Sequence, residues 1–261
     1  MKKQNHLFKQ MLAWTLLMSG IMGTIPAYGK PGKADIQKQV YQAYLLNSIA
    51  TWEHVVQTLN NKKEQNPGDT ELLYQLTSAQ YGLLTAALVN QDKEVYKKYH
   101  DQAHDHTDKL IKETEMAKAH ALKAGLYSID MGFHPMKGMF LGPKNSGQIQ
   151  QAIRINKNEP TAWLQKASSR LHTPEQYGGS LKEAIKYYKK AISLFEKDTA
   201  NLQYNCQYLN CLAWLGQAYN KNQQPEKALE IFNKALKAEA NFGWVKYHLL
   251  PNTQKKIKGK D

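Results

Sequence analysis

Between Leu212 and Ala235 the chain alternates small and large apolar residues at steps that few structures accommodate. The series is Leu212, Leu215, Gly216, Tyr219, then Ala228, Phe232 and Ala235. Steps of three and four gather each group on one side of a helix. Gly216 and Ala228 are small where two antiparallel helices would cross closely, and Tyr219 and Phe232 would fill the space beside that crossing. A tightly packed helical hairpin is therefore expected over residues 209–242.

The same framework returns upstream. Trp163 and Ala167, then Ala184, Tyr188 and Ala191, place a second hairpin over 160–198, with Pro160 in a first helical turn where its missing N–H costs nothing. Ala167 and Ala184 are seventeen residues apart instead of twelve, so about five residues are inserted around 172–179. Ser180 and Glu183 have the spacing of a capping box that restarts the helix. Ala191 to Leu212 is also long, which implies a lengthened helix or an extra turn around 199–201. A third hairpin, over 114–157, carries Ala117, Ala121 and Ala124, and later Ile149, Ala152 and Ile153. Between its two halves the Gly- and Pro-rich run 132–143 predicts an interruption, with helix resuming near Asn145.

Residues 30–113 read as N-terminal helices with a more degenerate pattern. Tyr41, Leu45, Ile49, Trp52, Val56 and Leu59 mark one long helix or two nearly collinear ones. A turn at 66–69 follows, then a helix to Val89, a turn at 90–92 and a helix through Leu110. After Phe242, Trp244, Tyr247 and Leu249 are expected to cover the end of the stack, with Pro251 stopping that segment and 252–261 a solvated basic tail.

The offsets of Leu212, Gly216, Tyr219, Ala228, Phe232 and Ala235 resemble the tetratricopeptide repeat family, whose unit is about 34 residues long. Leu212 stands where Trp is usual and Ala240 where Pro is usual. Across roughly 70–242 the pattern is similar to exported bacterial members of unestablished activity and, more faintly, to a periplasmic component associated with solute-binding transporters. The resemblance implies an all-α, right-handed helical-hairpin solenoid of about four hairpins with two loop insertions and a concave face lined by first helices. It implies binding of a protein or peptide partner and brings no catalytic residues.

The ends of the chain bear on location. Lys2, Lys3 and Lys9 precede an apolar run from Met11 to Ile25, and Ala27 and Gly29 supply the small residues of a signal-peptide cleavage site. A signal peptide over 1–29 is expected, with the mature protein periplasmic or secreted and without stable membrane insertion. Its removal would lower the formal charge from +13 to +10, which favours acidic partners; export argues against nucleic acid. Cys206 and Cys211 lie about 8 Å apart if both are on one helix, too far for a disulfide, so a pair needs Cys206 to lie off the helix; otherwise both are small buried residues.

Candidate chemistry is sparse. His100, Asp101, His104, Asp105, His106 and Asp108 form the densest cluster, with His100 and His104 one turn apart. A zinc site needs a third and fourth ligand held rigidly, and the His-Glu-x-x-His pattern is absent because Asp101 takes the Glu position. A polar helix face beside Lys97, Lys98 and Lys109 is the plainer reading, so no metal, cofactor or catalytic residue is expected. There is no Gly-rich phosphate loop, no Gly-x-Ser-x-Gly and no Cys-x-x-Cys. The insertions offer more: Phe133, Met136, Met139, Phe140 and Tyr177 are large apolar residues in Gly/Pro-rich connections on one edge, where they form a partner-gripping lip or fold back over the helix ends. A non-catalytic envelope scaffold follows, with a periplasmic small-ligand accessory protein or a His-cluster metal enzyme as the alternatives.

Overall fold

The computed structural model describes residues 33–259, and among these it contains eleven α-helices and no strand. The expected signal peptide lies outside the described residues. No described helix is long and apolar enough to cross a membrane.

The N-terminal stripe is two helices, α1 (Lys33–Leu46) and α2 (Ile49–Gln65), broken at Asn47, whose φ of 46° ends the first while the Ser48 hydroxyl caps the second. Asp69 caps α3 (Thr70–Asn90) by accepting from the Leu72 N–H at 2.9 Å. Gln91 then turns the chain through φ 56°, and Asp92 caps α4 (Lys93–Glu113). Three further hairpins follow: α5 (Ala117–Phe133) with α6 (Gly138–Ile155), α7 (Pro160–His172) with α8 (Leu181–Lys197), and α9 (Cys206–Lys221) with α10 (Pro225–Ala238). Each pair packs tightly within itself, and α3, α5 and α7 pack side by side. A one-turn π-helix (Val245–Leu249) leads into α11 (Leu250–Lys258).

Four details differ from the sequence reading. The 132–143 interruption shrinks to His134 and a 3₁₀ turn at Pro135–Lys137, and α6 runs on through Pro143. The glycines of this run are tolerated in helix, and a single Pro near a helix start loses one hydrogen bond without breaking the rod. The capping box is half formed: Ser180 Oγ accepts from the Glu183 N–H, but the Ser180 N–H donates to the Arg170 carbonyl while the Glu183 carboxylate pairs with Arg170 at 3.0 Å. Pro251 does not stop the C-terminal segment; it occupies the first turn of α11, where proline fits. The basic residues through Lys258 are consequently helical.

The second insertion does form a connection. Its 3₁₀ turn at Glu175–Tyr177 closes on Gly178, at φ 91°, and a Cβ on Gly179 would sit 1.8 Å from the Thr173 carbonyl oxygen. The long interval before α9 is filled by a 3₁₀ turn at Thr199–Asn201.

α1 departs from a simple stack. Ile36 and Ala43 pack with Trp52, Val56 and Leu76, whereas Tyr41 belongs to the core of the last two hairpins. The Tyr41 hydroxyl donates to Glu239 at 3.0 Å, its ring meets Tyr204 edge-on at 5.4 Å, and Tyr44 lies 5.8 Å from Phe242. α1 thus reaches from the N-terminal helices to the connection before α9 and the end of α10.

Cys206 and Cys211 both lie on α9 and are free. Burial pushes the Cys206 thiol up to about 11 and that of buried Cys211 well above its ordinary value. At pH 8 only about one Cys206 in a thousand is then thiolate. Native protein should therefore resist maleimide for minutes at that pH, with both thiols labelled once guanidinium unfolds the chain.

Candidate functional site

The polar cluster of α4 is divided by its helix. His100, His104 and Asp108, at steps of four, face α5, while His106 turns toward α3, where its Nδ1 lies 3.0 Å from Gln80 Oε1. Asp101 and Asp105 are exposed.

Because α4 and α5 run antiparallel, successive turns of one meet successive turns of the other in rungs. Tyr96 stacks on Phe133 with ring centroids 4.1 Å apart. One turn on, His100 Nε2 lies 3.0 Å from Asp130 Oδ1, and His104 Nε2 lies 3.1 Å from Asp130 Oδ2. The His104 ring also approaches Tyr127 at 5.6 Å, and Lys123 Nζ reaches Asp108 at 2.8 Å. The Tyr96 hydroxyl donates to Asp130 Oδ1 at 3.0 Å, and Asp101 Oδ1 lies 2.7 Å from His100 Nδ1.

Asp130 is the hub. Its side chain is 8% exposed, and it is the single acidic residue of α5. Burial alone would raise its carboxyl, but the two imidazoles outweigh that and hold it well below the usual carboxylate range. The bond to Asp130 raises the His100 imidazole despite partial burial, and Asp101 adds to the effect. His104 is different: its buried Nε2 is close to the carboxylate but makes no aligned hydrogen bond. The ligand atoms of His100, His104 and Asp130 all lie within 4.8 Å of one another. Sequence reasoning found the two histidines and missed the acid. Its signal was present, as one carboxylate in an otherwise acid-free, Ala-rich helix.

The apolar candidates differ in exposure. Phe133 is partly buried against Tyr96 and closes the upper end of the polar seam. Met136, Met139 and Phe140 stand at the head of α6, 90%, 79% and 71% exposed. Tyr177 is 75% exposed on a different connection, between α7 and α8, which Arg170 ties back through the Gly178 carbonyl. Two cavities, of about 370 and 220 Å³, lie elsewhere: one between α1, α2 and α3, the other beneath Tyr41 beside Tyr204, Tyr208 and Glu239.

The repeat residues sit as the crossing requires. Ala167, Ala184, Tyr188, Ala191, Leu212, Ala228, Phe232 and Ala235 are fully buried, and a Cβ on Gly216 would lie 2.3 Å from the Phe232 ring. Trp163 and Tyr219 are partly buried at the edge of the same core. Residues 177–198 and 209–242 match the tetratricopeptide repeat family. The matched segments are α8 with the turn before it and most of the hairpin α9–α10. A thermophilic tetratricopeptide repeat protein of Thermus thermophilus superposes with a TM-score of 0.54 at 16% identity, over 85% of this chain and 99% of that one. The HusA haemophore of Porphyromonas gingivalis also gives 0.54, at 17% identity, over 73% of this chain and 95% of its own. These likenesses are of fold. Among curated proteins none matches the sequence.

Proposed function

We propose that this protein is a non-catalytic interaction scaffold of the bacterial cell envelope, exported by its N-terminal segment, which grips a protein or peptide partner with the apolar head of α6. The observation that carries the reading is the exposure of Met136, Met139 and Phe140 within five residues, on a turn and the helix it starts. Three large apolar side chains left in water lose about 1.5–3 kcal/mol each relative to burial, a deficit that a docking partner recovers. The basic surface supplies steering toward an acidic partner. Lys2, Lys3, Lys9 and the apolar run after them support export.

The test replaces Met139 and Phe140 by Ser, with Tyr177→Ser as a separate variant. Surface changes of this kind alter stability by less than about 0.5 kcal/mol. Photo-crosslinking from position 136 in the native envelope should capture a defined partner in the wild type and lose it in Met139→Ser/Phe140→Ser, at an unchanged melting temperature. Equal capture by both would remove the α6 head from the interface. Cell fractionation with N-terminal sequencing checks location, with cleavage expected after Gly29.

A further inference from the structure

We propose that His100, His104 and Asp130 form a binding site for one divalent transition-metal ion of the zinc class, independent of the surface that grips the partner. Two imidazoles one helical turn apart, facing a buried carboxylate on the neighbouring helix, make an N₂O donor set that suits such ions and suits calcium or magnesium poorly.

The geometry needs little adjustment. With bonds of about 2.0–2.1 Å, tetrahedral ligands lie about 3.3 Å from one another. The two nitrogen–oxygen separations, 3.0 and 3.1 Å, already lie near that value, and no pair of ligand atoms exceeds 4.8 Å. An ion entering among these atoms displaces the proton that now lies between His100 Nε2 and Asp130, and each Nε2 turns its lone pair to the metal.

The surroundings fit as well. A ligating imidazole commonly donates its other N–H to a carboxylate, which fixes its orientation. Asp101 stands 2.7 Å from His100 Nδ1 in that role, and the Tyr96 hydroxyl holds Asp130. His104 Nε2 is the independent sign, a buried nitrogen aimed at the cluster with no aligned hydrogen bond. The charges facing the site are Asp101, Asp130 and, lower in the seam, Asp108 paired with Lys123, a balance that a dication improves. His100 is 27% exposed, so the ion can enter from solvent, and three protein ligands leave a fourth position for water or a donor from a bound molecule.

The full chain, stripped with EDTA and dialysed, is titrated with Zn²⁺ by calorimetry and with Co²⁺ by visible absorption. About one equivalent should bind with release of protons. The double variant His100→Ala/His104→Ala should weaken Zn²⁺ binding at least 100-fold, on the order expected for lost ligands, and Asp101→Asn about 10-fold. His54→Ala and His134→Ala should bind as the wild type does. Since the double variant removes partners from buried Asp130, histidine-ring resonances of the wild type give a second reading: Zn²⁺ should move those of His100 and His104. Uptake of less than about half an equivalent, a folded double variant with unchanged affinity, or ring shifts confined to other histidines would each overturn the site.

Discussion

Gly216→Leu should abolish the cooperative folding of the last hairpin, and Gly216→Ala should weaken it measurably. In the native crossing a Cβ at position 216 would lie 2.3, 2.6 and 2.8 Å from three atoms of the Phe232 ring. The ring cannot retreat, because Phe232, Ala228 and Ala235 are all fully buried. Alanine gains about 1 kcal/mol of helix propensity over glycine. Overpacking costs about 1–3 kcal/mol, and the contact here is severe, so a net loss near 2 kcal/mol is expected. Leucine adds three more carbons to the same space, and a loss beyond about 4 kcal/mol follows. Denaturant melts of the purified protein measure both. Phe232→Leu should recover part of the Gly216→Ala deficit by removing the atoms that clash; independent, additive losses would show that the crossing is not the cause.

That crossing was legible because it is local. Gly216, Ala228 and Phe232 act within one hairpin, so a single-residue demand for smallness survives in the spacing whatever surrounds it. Ala184, Tyr188 and Ala191 were readable on the same ground. The run 132–143 is less legible: its Gly and Pro read as breakers, but α5 and α6 bury Ile129, Ile149 and Ala152 and keep helix over all of it except His134–Lys137. Phe133 and Phe140 looked alike in sequence, yet one is packed on Tyr96 and the other stands in water, since helical phase, not residue type, decides between them. The metal candidate was half visible. His100 and His104 announce themselves by their spacing, but Asp130 joins them only through the pairing of two helices, and no periodicity within α4 encodes its neighbour.

Least legible of all was the placement of α1, and Tyr41→Ala should show what it does. In a solenoid each unit touches its neighbours alone, so stability spreads by nearest contacts. Here a residue of the first described helix bonds to Glu239, 198 positions on, and α1 joins the N-terminal helices to the last hairpins. Tying ends so far apart would cost an unfolded chain on the order of 5 kcal/mol, but the assembled stack already holds them close. Tyr41→Ala removes a ring that is 6% exposed, and truncating a buried aromatic costs about 3–5 kcal/mol. The adjoining cavity of about 220 Å³ lets water reach the gap, which places the loss at the lower end. Tyr41→Phe keeps the packing against Tyr204 and loses one hydrogen bond, about 1 kcal/mol. Hydrogen exchange locates the effect: in Tyr41→Ala, amides of α1, of 202–204 and of the end of α10 should exchange faster, while those of α4 and α5 keep their protection. Equal losses in the two variants, or uniform acceleration along the chain, would mean that α1 is no clasp.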